Sequence, residues 1–161
     1  MSGTLKAVPK DILGANETVE DIDLGAVDAL PPLIPDGAYE VGFVRAVKPF
    51  SVFKEQRVLL YFKIVTPGEH AGKELFMAMR VSPRNGRKSM AASSKMAQMC
   101  AVAAGRSTLR HDRLSTKIFQ GKYFMANVYT VKTNWRGRRH PEVCRYSAID
   151  ILTEQTAGGS L

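Results

Sequence analysis

Arg57-Val58-Leu59-Leu60-Tyr61-Phe62-Lys63-Ile64-Val65 carries the clearest alternation in this chain. Val58, Leu60, Phe62 and Ile64 fall on one face of an extended segment, and Arg57, Leu59, Tyr61 and Lys63 on the other. That period of two is what a half-buried β-strand requires. Thr66-Pro67-Gly68-Glu69-His70-Ala71-Gly72 follows with the Pro-Gly chemistry of a loop. Beyond it the alternation resumes, with Leu75, Met77, Met79 and Val81 inward and Phe76, Ala78 and Arg80 outward. The outward set is aromatic and cationic, whereas a solvated sheet face is mostly Thr, Ser, Lys and Glu.

Upstream, Pro35-Asp36-Gly37 signals a turn, and Tyr39–Val47 is rich in β-formers. Gly42 inside that run points to a bulge or bend. Downstream, Ser89–Ala104 reads as the one helix. It starts among serines that can cap it, stops at Gly105, and places Met96, Met99, Cys100 and Ala103 on one face. A methionine stripe at that spacing is core packing. Residues 106–122 are basic and irregular and end in Ile118-Phe119-Gln120-Gly121, which should pack back on the sheet. Two strand-like segments, Tyr123–Val131 and Val143–Ile151, enclose Thr133-Asn134-Trp135-Arg136-Gly137-Arg138-Arg139-His140. This basic loop holds the only tryptophan. A flat ring among guanidinium groups can stack on an unpaired base while the arginines meet phosphates.

The formal charge of +8 is unevenly spread. Residues 1–40 hold two lysines against eight acids, a balance of −6, and residues 41–161 hold 21 basic residues against 7 acids, or +14. The basic part should attract a polyanion, and the acidic part is a candidate competitor for the same surface. Residues 1–36 read as a flexible acidic, Pro-containing arm with one short helical turn near Val19–Leu24. Residues 37–152 read as the folded domain, and 153–161 as a disordered tail. Cys100 and Cys144 show no metal-ligand spacing and fit a reducing compartment. No apolar run reaches membrane-spanning length, and Met1-Ser2-Gly3-Thr4 lacks a signal-peptide pattern. The expected location is the cytoplasm of a bacterial or phage-infected cell, with no membrane partner.

Three strands, a helix, then two strands joined by a hairpin is the order of the OB fold, an all-β, five-stranded Greek-key barrel with its helix between strands three and four. Its ligand face centres on strands two and three and is flanked by the loops between strands one and two and between four and five. The candidate nucleic-acid-binding residues are therefore Phe50, Phe53 and Lys54 in the first loop, and Arg57, Tyr61, Lys63, Phe76 and Arg80 on the sheet. Trp135, Arg136, Arg138 and Arg139 join them from the second loop.

From Ile34 to Leu152 the chain also resembles the single-stranded-DNA-binding proteins of phages and mobile elements. The shared pattern is Gly37-Ala38-Tyr39, a second strand ending Ile64-Val65, Gly68 and Gly72 spaced four apart, a small-residue helix, and Gly121-Lys122-Tyr123-Phe124 leading into strand four. The resemblance implies a non-enzymatic protein that coats single strands during replication or recombination. Many bacterial relatives end in an acidic tail with a terminal aromatic that recruits partners, whereas this chain ends Gly158-Gly159-Ser160-Leu161. The acidic arm is then the candidate docking site for replication or recombination proteins. A homo-oligomer is compatible with the sequence.

The catalytic inventory is thin. His70, His111 and His140 lie in polar, loop-like contexts, and Asp112 beside His111 does not orient a base. Cys100 and Cys144 read as packed thiols. No Walker or Rossmann glycine pattern occurs, and the acids of the basic part are scattered. No enzyme, cofactor or metal is expected. Single-stranded DNA is the expected partner. The alternative is an RNA-binding or regulatory module on the same fold, or an adaptor for replication or recombination proteins.

Overall fold

The computed structural model describes residues 21–26, 29–48, 57–81, 93–105, 114–134 and 136–157. The strand pattern read around Phe62 organises the molecule. β1 (Gly37–Val47), β2 (Arg57–Ile64), β3 (Glu74–Arg80), β4 (Tyr123–Val131) and β5 (Tyr146–Thr156) form one antiparallel sheet in the order β3-β2-β1-β4-β5. α1 (Lys95–Ala104) lies between β3 and β4 in the chain. The sheet curls until its edge strands β3 and β5 approach one another. It does not close: among the described residues no backbone ladder joins the two edges, and the rings of Phe76 and Tyr146, 5.9 Å apart, meet across the gap.

The core fills the concave side. Leu60, Phe62, Ile64, Leu75, Met77 and Met79 are buried as their alternation requires, and Val58 and Val81 pack against them. Phe119 and Phe124 are also fully buried. Phe119 belongs to a 3₁₀ turn, Thr116–Phe119, that brings residues 116–119 back onto the sheet. One face of α1, formed by Met96, Met99, Cys100 and Ala103, closes the core. The helix begins at Lys95, six residues after the expected Ser89, because the Ser94 hydroxyl accepts the Ala97 N–H and caps it there. At its other end the Lys122 ammonium donates to the Ala103 carbonyl at 2.7 Å, so this lysine serves the helix.

Bulges set which side chains face out. The β1–β2 register shifts between Phe43 and Arg45. Phe43 stays inward opposite Phe62, while the extra residue, Val44, turns Arg45 over to face Tyr61. The bulge or bend expected at Gly42 falls two residues on, at Val44, and Gly42 itself serves a close approach. A Cβ there would stand 2.9 Å from the Tyr123 ring. Two further shifts, between Met125 and Ala126 and between Asn127 and Val128, interrupt the β4–β5 ladder.

Several expected boundaries move. β5 starts at Tyr146 and runs to Thr156, because Glu142–Cys144 forms a 3₁₀ turn and the Thr156 hydroxyl donates to the Glu40 carboxylate. Residues 153–156, read as tail, are thus strand. Residues 32–36, read as arm, are tied to the sheet. Ile34 is buried, the Ser147 N–H donates to the Pro32 carbonyl, and the buried Ser147 hydroxyl accepts from the Ile34 N–H and donates to its carbonyl. The helical turn expected near Val19–Leu24 is absent from 21–26, which are irregular and exposed. Among the described residues no helix is long and apolar enough to cross a membrane.

Candidate nucleic-acid interface

The convex side of β2 and β3 carries a ladder of cross-strand pairs: Arg57 opposite Arg80, Leu59 opposite Ala78, Tyr61 opposite Phe76, and Lys63 opposite Glu74. The residues predicted for the binding face on these strands, Arg57, Tyr61, Lys63, Phe76 and Arg80, therefore share one face. Arginine facing arginine is by itself an unfavourable cross-strand pairing. It concentrates positive charge at one end of the face. At the other end Glu74 balances Lys63 and also pairs with the Arg45 guanidinium. Arg45 and Glu74 are both about half exposed, so their ion pair adds little stability and costs little to exchange for a phosphate.

Between the charged ends runs a row of rings. The Arg45 guanidinium lies 4.2 Å from the centre of the Tyr61 ring. Tyr61 and Phe76 are 6.2 Å apart, Phe76 and Tyr146 5.9 Å, and Tyr146 and His140 6.2 Å. The row thus crosses from β2 to β3, jumps the gap to β5, and ends in the loop between β4 and β5. All four rings are half-buried, seated against the sheet with part of their surface in solvent.

That loop is built around Asn134. Its N–H donates to the Arg138 carbonyl, its carbonyl accepts from Gly137, and its side-chain Oδ1 accepts from the N–H groups of Arg136 and Arg138 at 2.9 and 3.0 Å. Gly137 has φ +77°, a conformation that favours glycine. Thr133 bridges Arg139, and the His140 N–H donates to Lys132, which closes the loop at its base. Arg136, Arg138 and Arg139 are exposed on this braced backbone. Four predicted site residues, Phe50, Phe53, Lys54 and Trp135, lie outside the described residues.

Arg45, Tyr146 and His140 join the face without having been singled out for it in the sequence. His70 contacts the Lys73 ammonium through Nδ1 and the Glu69 carboxylate through Nε2, each at 3.1 Å, within one loop. Burial pushes the Cys100 thiol up to about 11, which disfavours a thiolate. Among the described residues no His, Cys, Asp and Glu side chains gather as a metal site. No protein-family model matches the chain, and no curated protein is significantly similar to it.

Proposed function

We propose that this protein is a non-enzymatic, largely sequence-independent binder of single-stranded DNA, acting in replication or recombination on an OB-type barrel. The observation that carries the reading is the unbroken row Tyr61–Phe76–Tyr146–His140, edged by Arg57, Arg80, Arg45 and the arginine loop. Bases have π-faces whatever their sequence, so a row of rings binds unpaired strands without reading them. The cations follow the phosphates, and a duplex, whose bases are already stacked, offers the rings nothing. The strand order β3-β2-β1-β4-β5, with one helix after β3, supports the OB reading. So does the position of the rings on β2 and β3 beside the β4–β5 loop. The resemblance of residues 34–152 to phage and mobile-element proteins points the same way.

A competition titration of poly-dT against poly-U and duplex DNA tests the proposal. The expected order places poly-dT first. Preference for duplex by more than about tenfold would remove the stacking rationale, and preference for poly-U would transfer the same surface to RNA.

A further inference from the structure

Where β3 and β5 face each other without pairing, they leave a groove of about 350 Å³. That is the lower end of the range of ligand sites, about 300–1,000 Å³, and suits a single nucleotide better than a larger cofactor. Its apolar walls include Leu59, Ala78 and Val131, and the ring pair Phe76 and Tyr146 lines it as well, so it continues the proposed strand-binding face. Four side chains with polar atoms line it: Arg57, Lys95, Tyr129 and, through its phenol, Tyr146.

Lys95 is out of place on stability grounds alone. It opens α1, where the helix dipole favours an acid, and the first turn contains no acid. It is also half-buried, and that burial lowers the affinity of its amine for a proton, with Asp150 only partly restoring it. Two costs at one residue lining one groove are characteristic of a binding role. The groove is also biased toward donors. An ammonium and a guanidinium donate only. The Tyr129 phenol, its ionisation opposed by burial and by Asp150, keeps a proton to donate, and its oxygen, like that of Tyr146, also accepts. Lys95 and Arg57 match a carbonyl oxygen and cannot accept from an amino group, which is left with the phenol oxygens alone.

We propose that this groove seats one base of the bound strand and that Lys95 makes it prefer a keto base (thymine, uracil or guanine) over an amino base (cytosine or adenine). The inference rests on the single-strand reading above and adds a local preference to an otherwise sequence-tolerant face.

The test is fluorescence anisotropy of the full chain with labelled oligo-dT and oligo-dC, two pyrimidine strands that differ at the keto and amino positions. The wild-type protein should bind oligo-dT about tenfold more tightly, the effect of one charge-assisted hydrogen bond. Lys95→Met should bring the ratio to about one, with a melting temperature at or above wild type because a half-buried charge is gone. Ala78→Leu fills the groove without changing charge and should also abolish the preference. Equal wild-type affinity for the two strands overturns the inference and leaves single-strand binding standing. So does an equal loss on both in Lys95→Met, which would mark a phosphate contact. Wild-type protein that binds neither strand overturns both readings.

Discussion

Replacing Phe62 with alanine removes the ring at the centre of the core, while the same change one residue earlier, at Tyr61, removes a ring from the proposed binding face. Phe62 is fully buried and meets Phe43, Phe119 and Phe124 at 5.6, 6.3 and 6.2 Å. β2 is hydrogen-bonded on both sides, to β1 and β3, so its backbone cannot move in to fill the hole. A Phe→Ala truncation in such a place costs about 3–5 kcal/mol. Three edge-on or near edge-on ring contacts, each worth about 0.5–1.5 kcal/mol, favour the upper half of that range. At about 3–5 °C per kcal/mol for a domain of this size, the melting temperature should fall by about 10–25 °C. Among the described residues Tyr61 has one ring neighbour and one guanidinium over its face, and it is half-buried. Tyr61→Ala should therefore cost only about 1–2 kcal/mol of stability. It should weaken oligo-dT binding by about 1–3 kcal/mol, or about five- to 150-fold.

Circular-dichroism melting and an oligo-dT titration on both variants separate the two effects. Phe62→Ala melting close to wild type while Tyr61→Ala unfolds would show the β2 register to be wrong by one residue, since a slip of one exchanges the faces of every side chain. Normal binding by Tyr61→Ala would refute the role given to the row of rings.

Single alanine substitutions at Arg136, Arg138 and Arg139 should each reduce the slope of log K against log salt by about 0.7, one phosphate's contribution on a single strand; an unchanged slope excludes phosphate contacts from this loop. Trp135→Ala should weaken oligo-dT binding by about 1–3 kcal/mol without lowering the melting temperature, and oligo-dT should quench the wild-type tryptophan. A lowered melting temperature with no quenching would place that ring in the fold. Deleting residues 1–30 removes most of the acidic arm but keeps Pro32 and Ile34, which hold Ser147. Binding should tighten, chiefly at low salt where screening is weakest, and an unaltered affinity at every salt concentration would exclude competition by the arm. Cys100, with its thiol pushed up to about 11 from 9.0, should resist iodoacetamide at pH 8 while the partly exposed Cys144 reacts. Because the folded-state value is the higher one, its contribution to stability is complete below about pH 9 and declines as pH rises toward 11. Denaturation of wild type and Cys100→Ala across that window should diverge.

How far the sequence could be read depended on where the period of two holds. β2 and β3 pair residue for residue from Arg57–Arg80 to Lys63–Glu74 with no irregularity, so alternation alone assigned both faces, including Tyr61 and Phe76 outward. β4 was legible to its ends for the same reason, each end being marked by a break in β-forming residues. In β1 and β5 the period breaks. Counting by twos from Phe43 places Arg45 inside, and only the extra residue at Val44 brings it out over Tyr61. Counting by twos from the buried Leu152 likewise places Tyr146 inside. The register shift that pairs Asn127 with Ile151 but Val128 with Ile149 leaves Asp150 over, and so turns Tyr146 outward toward Phe76. A bulge is one extra residue whose position depends on the partner strand, and the partner strand is not visible in a local pattern. The same limit applies to the groove. Lys95 reads locally as a polar residue within the expected Ser89–Ala104 helix, and its meaning depends on an unpaired edge between β3 and β5, strands more than sixty residues apart in the chain. The part of the site that sequence could reach was the regular part. The residues that join the sheet face to the arginine loop are placed by the irregularities.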